Sequence, residues 1–251
     1  MTSLPWPASP GPATCPFPST DGGVVAWPHA IASVARLVPD TAPPPPGAEV
    51  SRGRTSALVV REALLRAARE LLDERGPSGL AIRDIAARAA VAPMGVYNRF
   101  GSKDGILNAL LEQGFAELAA AVTVRPDAAD PLGAITAGVG NYRAFALANP
   151  AMYRLMFDRS IAGFEPSAEV RMMAHAAFER LIDAVRLAIA TGHLRPGDPE
   201  EIAQRIWAGC HGATSLELRG IAFVTDYDAH YAALVRTLLR GLATHPDPES
   251  E

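Results

Sequence analysis

The chain has 251 residues, 49% of them hydrophobic and 20% charged, with a net charge of −4. Those values fit an ordinary globular protein with one or two packed cores. No run of about eighteen apolar residues is present, which excludes a helical membrane span. Two cysteines, Cys15 and Cys210, provide neither a disulfide framework nor a metal-ligand spacing. No Lys or Arg precedes Arg36, so the amino end lacks the basic start of a secretory signal, and a cytoplasmic location is expected. The charge is unevenly spread. Ser51–Asp104 holds ten Arg and Lys against six acids, a balance of +4, while Gly105–Glu251 holds twelve against eighteen, a balance of −6. A basic segment on an acidic chain is what a nucleic-acid contact surface predicts.

Residues 1–50 contain twelve of the 22 prolines, including Pro43–Pro46. That density leaves too few N–H donors and too little buriable surface for a packed element, so a disordered leader is expected. Within it the mildly apolar Val24–Val38, which contains Pro28, has room for a short helix. Arg52 and Arg54 stand in SRGRTS, ahead of the first long helical pattern. They read either as a flexible basic arm reaching along phosphates or into a minor groove, or as a solubilising linker. Leu58–Arg75 is a predicted helix with Leu64, Leu65, Ala68, Leu71 and Leu72 as its apolar stripe, stopped by Gly76-Pro77.

Two short helices joined by a tight turn come next. Ile82, Ile85, Ala86 and Ala89 recur at helical spacing, and Ala90-Val91-Ala92 breaks the pattern. Pro93 fits the first turn of the following helix, where its missing N–H would be unpaired in any case. There Val96 and Phe100 point inward, leaving Met94, Gly95, Tyr97 and Asn98 outward beside Arg99 and Lys103. Such a face suits a helix lying in the major groove of double-stranded DNA. Met94, Gly95 and Asn98 are the candidates for base edges, Asn98 matching adenine and Met94 a thymine methyl group, with Pro93 beside them. Tyr97 and Lys103 match phosphates. Asn98 also reads as a plain solvated residue, and Arg83 as either a phosphate contact or surface charge. Ser102 then caps a helix running to about Val122 through Ile106, Leu107, Leu110, Leu111, Phe115 and Leu118. Gly105 and Gly114 inside it are either bending points or room for packing.

Leu58–Leu111 resembles the DNA-binding domain of the TetR/AcrR family of bacterial transcriptional regulators. The resemblance is carried by REALLRAARELLDERG, IRDIAARAAVA and VYNRFGSKDGIL, with the family's Tyr-x-x-Phe-x-x-Lys spacing on Tyr97, Phe100 and Lys103. The family usually has Gly in the turn and hydroxyl residues opening both helices, where this chain has Ala90, Ala92 and Ala81. Losing a polar cap costs about 1 kcal/mol and removes a hydroxyl that could reach a phosphate. The resemblance implies an all-α fold: a helix-turn-helix domain over 51–101, a helical effector-binding and dimerisation domain over 102–246, and a tail over 247–251. It also implies a homodimer in the bacterial cytoplasm that binds a palindromic operator, acts as a repressor and responds to a small molecule.

From Pro131 on, five helical patterns follow without a convincing strand: Leu132–Ala148, Ala151–Phe157, Ala168–Ala190, Pro199–Leu218 and Asp228–Ala243. Ile206–Gly220 resembles the family subgroup that carries Trp and His-Gly in this helix (the WHG type), the matching residues being Trp207, His211 and Gly212. Tyr142, Phe145, Met152, Tyr153, Met156, Phe157, Met172, Met173, His175, Phe178, Trp207 and His211 are the candidate lining of a pocket for a largely apolar effector. Core packing alone would produce much the same set. Ile206, Cys210, Ala213, Val235, Leu238, Leu239 and Leu242 form apolar faces on the last two helices and are the expected dimer contact. Cys210 and His211 invite a rival reading as a small helical hydrolase, but neighbouring helical residues point about 100° apart and cannot pair as nucleophile and base. A DNA-binding factor without an effector is the other alternative. No phosphate loop, zinc motif or paired carboxylates appear, so no cofactor or metal is expected.

Overall fold

The computed structural model describes residues 48–125, 127–158 and 161–244, with side chains from Ala57 onward. Val24–Val38, Cys15, nearly all of the expected leader and the 247–251 tail lie outside the described residues. Packing separates Met1–Arg52 from Gly53–Glu251. The first unit contributes only the helical stretch Ala48–Arg52 to the description.

The helix α1 (Ala48–Arg75) begins well before the expected Leu58. No proline falls between Glu49 and Ala57, so the helix propagates backwards, one backbone bond per residue, toward the Pro43–Pro46 run. Arg52 and Arg54 therefore sit in helix, which corrects the flexible-arm expectation. Gly76 ends α1 at φ +71°, its N–H bonded to the Leu72 carbonyl at 2.8 Å. A 3-10 turn (Pro77–Gly79) leads to α2 (Ile82–Arg88) and α3 (Pro93–Phe100).

The turn between α2 and α3 is closed by Val91 N–H to the Ala86 carbonyl, 2.9 Å. It forces Ala90 to φ +54°, a left-handed conformation that penalises a residue with a Cβ. This is the position where the family usually has Gly. Neither α2 nor α3 has a side-chain cap, consistent with Ala81 and Ala92. By contrast, the Ser102 hydroxyl accepts from Gly105 N–H at 3.1 Å and starts α4 (Lys103–Val122).

Five more helices follow: α5 (Pro131–Ala148), α6 (Pro150–Phe157), α7 (Ala168–Ala190), α8 (Pro199–Leu218) and α9 (Tyr227–Leu242). Asp130, Ser167, Asp198 and Asp226 cap α5, α7, α8 and α9 through backbone N–H groups. Among the described residues there is no strand, only an isolated bridge between Leu194 and Ala243. No helix of the described residues is long and apolar enough to cross a membrane.

Helix α4 joins the two ends of the molecule. Ile106, Leu107 and Leu110 complete a core with Leu64, Leu71, Ile85 and Val96, and the same core continues through Phe115, Tyr142, Met152 and Val170. A Cβ on Gly114 would stand 2.7 Å from Met152 Sδ, and one on Gly105 1.8 Å from the Phe100 carbonyl oxygen. Both glycines make room for close neighbours, which favours the packing reading over the bending one.

A second core joins α5, α7, α8 and α9. It contains Ile206, Cys210, Val235 and Leu239, all buried by their own chain, and Ala213, Leu238 and Leu242 pack against its edge. The first four residues cannot supply a dimer surface, which corrects that expectation. Helical periodicity marks a face that is buried but does not say what buries it. The outer surfaces of α8 and α9 instead present Ala208, Leu216, Ala232 and Ala233.

Candidate functional site

The exposed face of α3 follows from its spacing. Val96 is fully buried while Met94 is 63% and Tyr97 47% exposed, with Pro93 and Asn98 also open. Met94, Tyr97 and Asn98 sit at i, i+3 and i+4 and share that face. Gly95 does not join it. It is half-buried, and a Cβ there would meet Val91 Cγ1 at 2.3 Å, so its role is to let α3 approach the turn. Arg83 is exposed on α2, and Lys103 is half-buried at the start of α4.

Five other cations of this region are engaged within the chain. Arg88 bonds Glu74 at 2.5 and 2.7 Å, and Arg75 bonds Asp84 at 2.7 Å. The Arg61 guanidinium stands 4.6 Å above the Phe100 ring, and Arg99 turns back toward the Gly95 carbonyl at 3.4 Å. Arg69 donates to Glu117 on α4 at 3.2 Å and to Asn149 Oδ1, between α5 and α6, at 2.7 Å.

Beyond α4's midpoint lies a cavity of about 560 Å³ bounded by α4, α5, α6, α7 and α8. Its wall is mainly apolar, with Phe115, Leu118, Val122, Ile135, Val139 and Leu181 as the aliphatic and aromatic residues that sequence reasoning missed. They carry no signal that separates a cavity wall from ordinary core. Of the expected pocket residues, Tyr142, Phe157, Phe178 and Trp207 are on the wall. Phe145, Met152 and Tyr153 are buried in the first core, and Met156 and Met173 pack against it. Met172 is 64% exposed, and His175 is exposed and lies 3.5 Å from Glu179. These seven are corrected away from the wall. Thioethers and rings fill gaps between helices as readily as they line cavities, and the outward side of α7 carries both Met172 and His175.

Behind the wall, Tyr142 and Tyr153 hydroxyls lie 2.9 Å apart, and each is 2.8 Å from His211 Nδ1. Burial lowers the His211 pKa and raises those of both tyrosines, so all three are neutral near pH 7. A neutral imidazole with the proton on Nε2 accepts at Nδ1 and faces Ser215 Oγ at 3.5 Å. His211 also stands against Trp207 and Phe157, with ring centroids 5.2 Å away in both cases. It supports the cavity rather than forming its surface. Cys210 is on the cavity wall but almost fully buried, and burial raises its thiol pKa, the opposite of what an activated nucleophile requires.

Comparison with known proteins fits this geometry. Residues 64–110 match the family model for bacterial regulatory proteins of the tetR family, and residues 135–241 match the tetracyclin repressor-like C-terminal domain. The HTH-type transcriptional regulator Rv1816 of Mycobacterium tuberculosis is 29% identical over 212 residues, spanning 70% of this chain and 89% of that protein. The HTH-type transcriptional repressor Rv3405c of the same species is 47% identical over 53 residues, 21% of this chain and 28% of that protein. A solved structure of a protein of unknown function from Rhodococcus sp. RHA1 is 30% identical with a TM-score of 0.65, covering 73% of this chain and 95% of that one. These relatives are regulators rather than enzymes where their names state a role. Two successive models that together cover more than half the chain, over an all-helical fold with an exposed second helix in its helix-turn-helix, place this protein in the TetR family of DNA-binding transcriptional regulators.

Proposed function

We propose that the protein is a homodimeric repressor in the bacterial cytoplasm that leaves its operator when a small, largely apolar molecule enters the cavity. Residues 51–101 act as the reading head, and 102–246 sense the ligand and hold the dimer. The observation that carries this reading is the single helix α4, whose start packs under α3 and whose later turns, at Phe115, Leu118 and Val122, form the cavity wall. A ligand that shifts this wall biases the same rod that positions the head. Repression is the sense named for the relative Rv3405c, whose similarity is confined to 53 residues.

Pairing through the outer sides of α8 and α9 is supported by Gly212. Among the described residues a Cβ there would meet nothing within 4 Å, so no packing within them explains a glycine in mid-helix, whereas an approaching helix would. A two-fold pair sets the reading helices about 34–36 Å apart and calls for a palindromic operator. On the DNA, Tyr97, Lys103 and Arg83 contact phosphates while Met94 and Asn98 face base edges.

The test is fluorescence anisotropy on labelled genomic duplexes, repeated with a panel of apolar compounds, alongside light scattering. Expected are a dimer, a palindromic site, and at least one compound that both raises the melting temperature and releases DNA. A monomer at micromolar concentration sinks the dimer. An operator affinity untouched by the whole panel favours an effector-independent factor.

A further inference from the structure

Recognition of bases in the major groove depends on which hydrogen-bonding groups a helix projects. Guanine is read mainly by Arg or Lys, cytosine by Asp or Glu, adenine by Asn or Gln, and the thymine methyl by apolar side chains. Helix α3 has the sequence PMGVYNRF, in which Arg99 is the sole charged residue. Arg99 does not project: it is half-buried, Nε has no hydrogen-bond partner among the described residues, and Nη1 lies 3.4 Å from the Gly95 carbonyl of its own helix. The groups that do project are Met94, Tyr97 and Asn98; with the Tyr97 hydroxyl taken by a phosphate, the Met94 thioether and the Asn98 carboxamide, four residues apart on one face, are left for the bases. The helical rise of about 1.5 Å per residue sets them about 6 Å apart. That is under two base-pair steps of about 3.4 Å.

We infer that each operator half-site presents consecutive or near-consecutive A·T pairs to α3, with a thymine methyl against Met94 and an adenine edge against Asn98, and no guanine at either position. This rests on the reading of α3 as the groove helix and adds the base class it selects. Specificity then comes from shape and one carboxamide rather than from a cation, so base discrimination at these pairs is insensitive to salt, while overall affinity is not.

The experiment uses the full-length protein and a randomised duplex library. Enriched duplexes are then remade with deoxyuridine for thymine, which deletes only the methyl group, or with 7-deazaadenine for adenine, which deletes N7. Expected is an A·T pair at the contacted positions of each half-site and a loss of about fourfold for the uridine duplex, the effect of one buried methyl. That loss vanishes in Met94→Ala. The deazaadenine loss of about tenfold vanishes in Asn98→Ala. Both side chains are exposed, so unchanged melting of the two variants verifies their fold. Enrichment of G·C at these positions, or a uridine effect that persists in Met94→Ala, overturns the base assignment alone. Failure to enrich any duplex sinks the groove reading together with it.

Discussion

Arg143 on α5 grips Glu217 on α8 through two hydrogen bonds, Nε and Nη2 each 2.7 Å from a carboxylate oxygen. Its remaining arm reaches Asp228 on α9 at 2.7 Å, and the guanidinium lies 5.2 Å above the Tyr231 ring. Both members of the main pair are nearly buried, and Glu217 holds the Arg143 guanidinium well above its usual pKa. A fork-on-fork pair of this kind fixes the mutual register of three helices. Glu217→Gln keeps the shape but removes the charge. It should lower unfolding free energy by about 2 kcal/mol, read from urea melts. A change under about 0.5 kcal/mol would mean that the tie contributes little.

Ala90 offers a test in the opposite direction. Its φ of +54° penalises the methyl group, while the neighbouring turn geometry is closed by backbone bonds alone. Ala90→Gly should stabilise the protein by about 0.5–1 kcal/mol, relief of strain exceeding the added freedom of the unfolded chain. A lower melting temperature for the glycine variant would refute the turn as described.

Lys103 stands half-buried at the start of α4 and forms no ion pair among the described residues. Lys103→Ala should weaken operator binding for every sequence alike and reduce the slope of log affinity against log salt by about 0.9 per lost phosphate contact. Titrations between low and moderate salt decide it, and parallel lines for the two proteins would remove Lys103 from the DNA contacts.

Acid should loosen the bundle at His211. Burial sets its folded pKa below the ordinary value of 6.5, with Asp158 opposing and Arg219 assisting that shift. As pH falls past 6.5 the unfolded chain takes the proton first, so stability present above that value is lost toward the lower folded pKa. His211→Gln should flatten the fall in melting temperature between neutral pH and mild acid. An identical pH profile in both proteins would mean the imidazole is not the group responsible.

Much of this architecture is legible in the residue pattern, because α2 and α3 combine a clean apolar period with Pro93 and because Ser102 announces the start of α4. The helix-turn-helix face is local, and local spacing suffices to place Met94, Tyr97 and Asn98. The cavity is not local. Tyr142 meets His211 across 69 positions, and Val122 and Leu181 become wall residues only once α4, α5 and α7 are packed. The stripe through Ile206 and Cys210 predicts a contact with a second subunit yet packs inside its own chain, because an apolar stripe looks the same whether a sister helix or a second subunit covers it.

The hydrophobic interior that begins at Leu64 beside α2 and α3 continues without a break to Val170 on α7. A fragment cut at Gly101 would lose Ile106, Leu107 and Leu110, and with them the lid over Leu71, Ile85 and Val96. The two ends should therefore melt as one event in calorimetry, with neither able to persist as an independent folding unit.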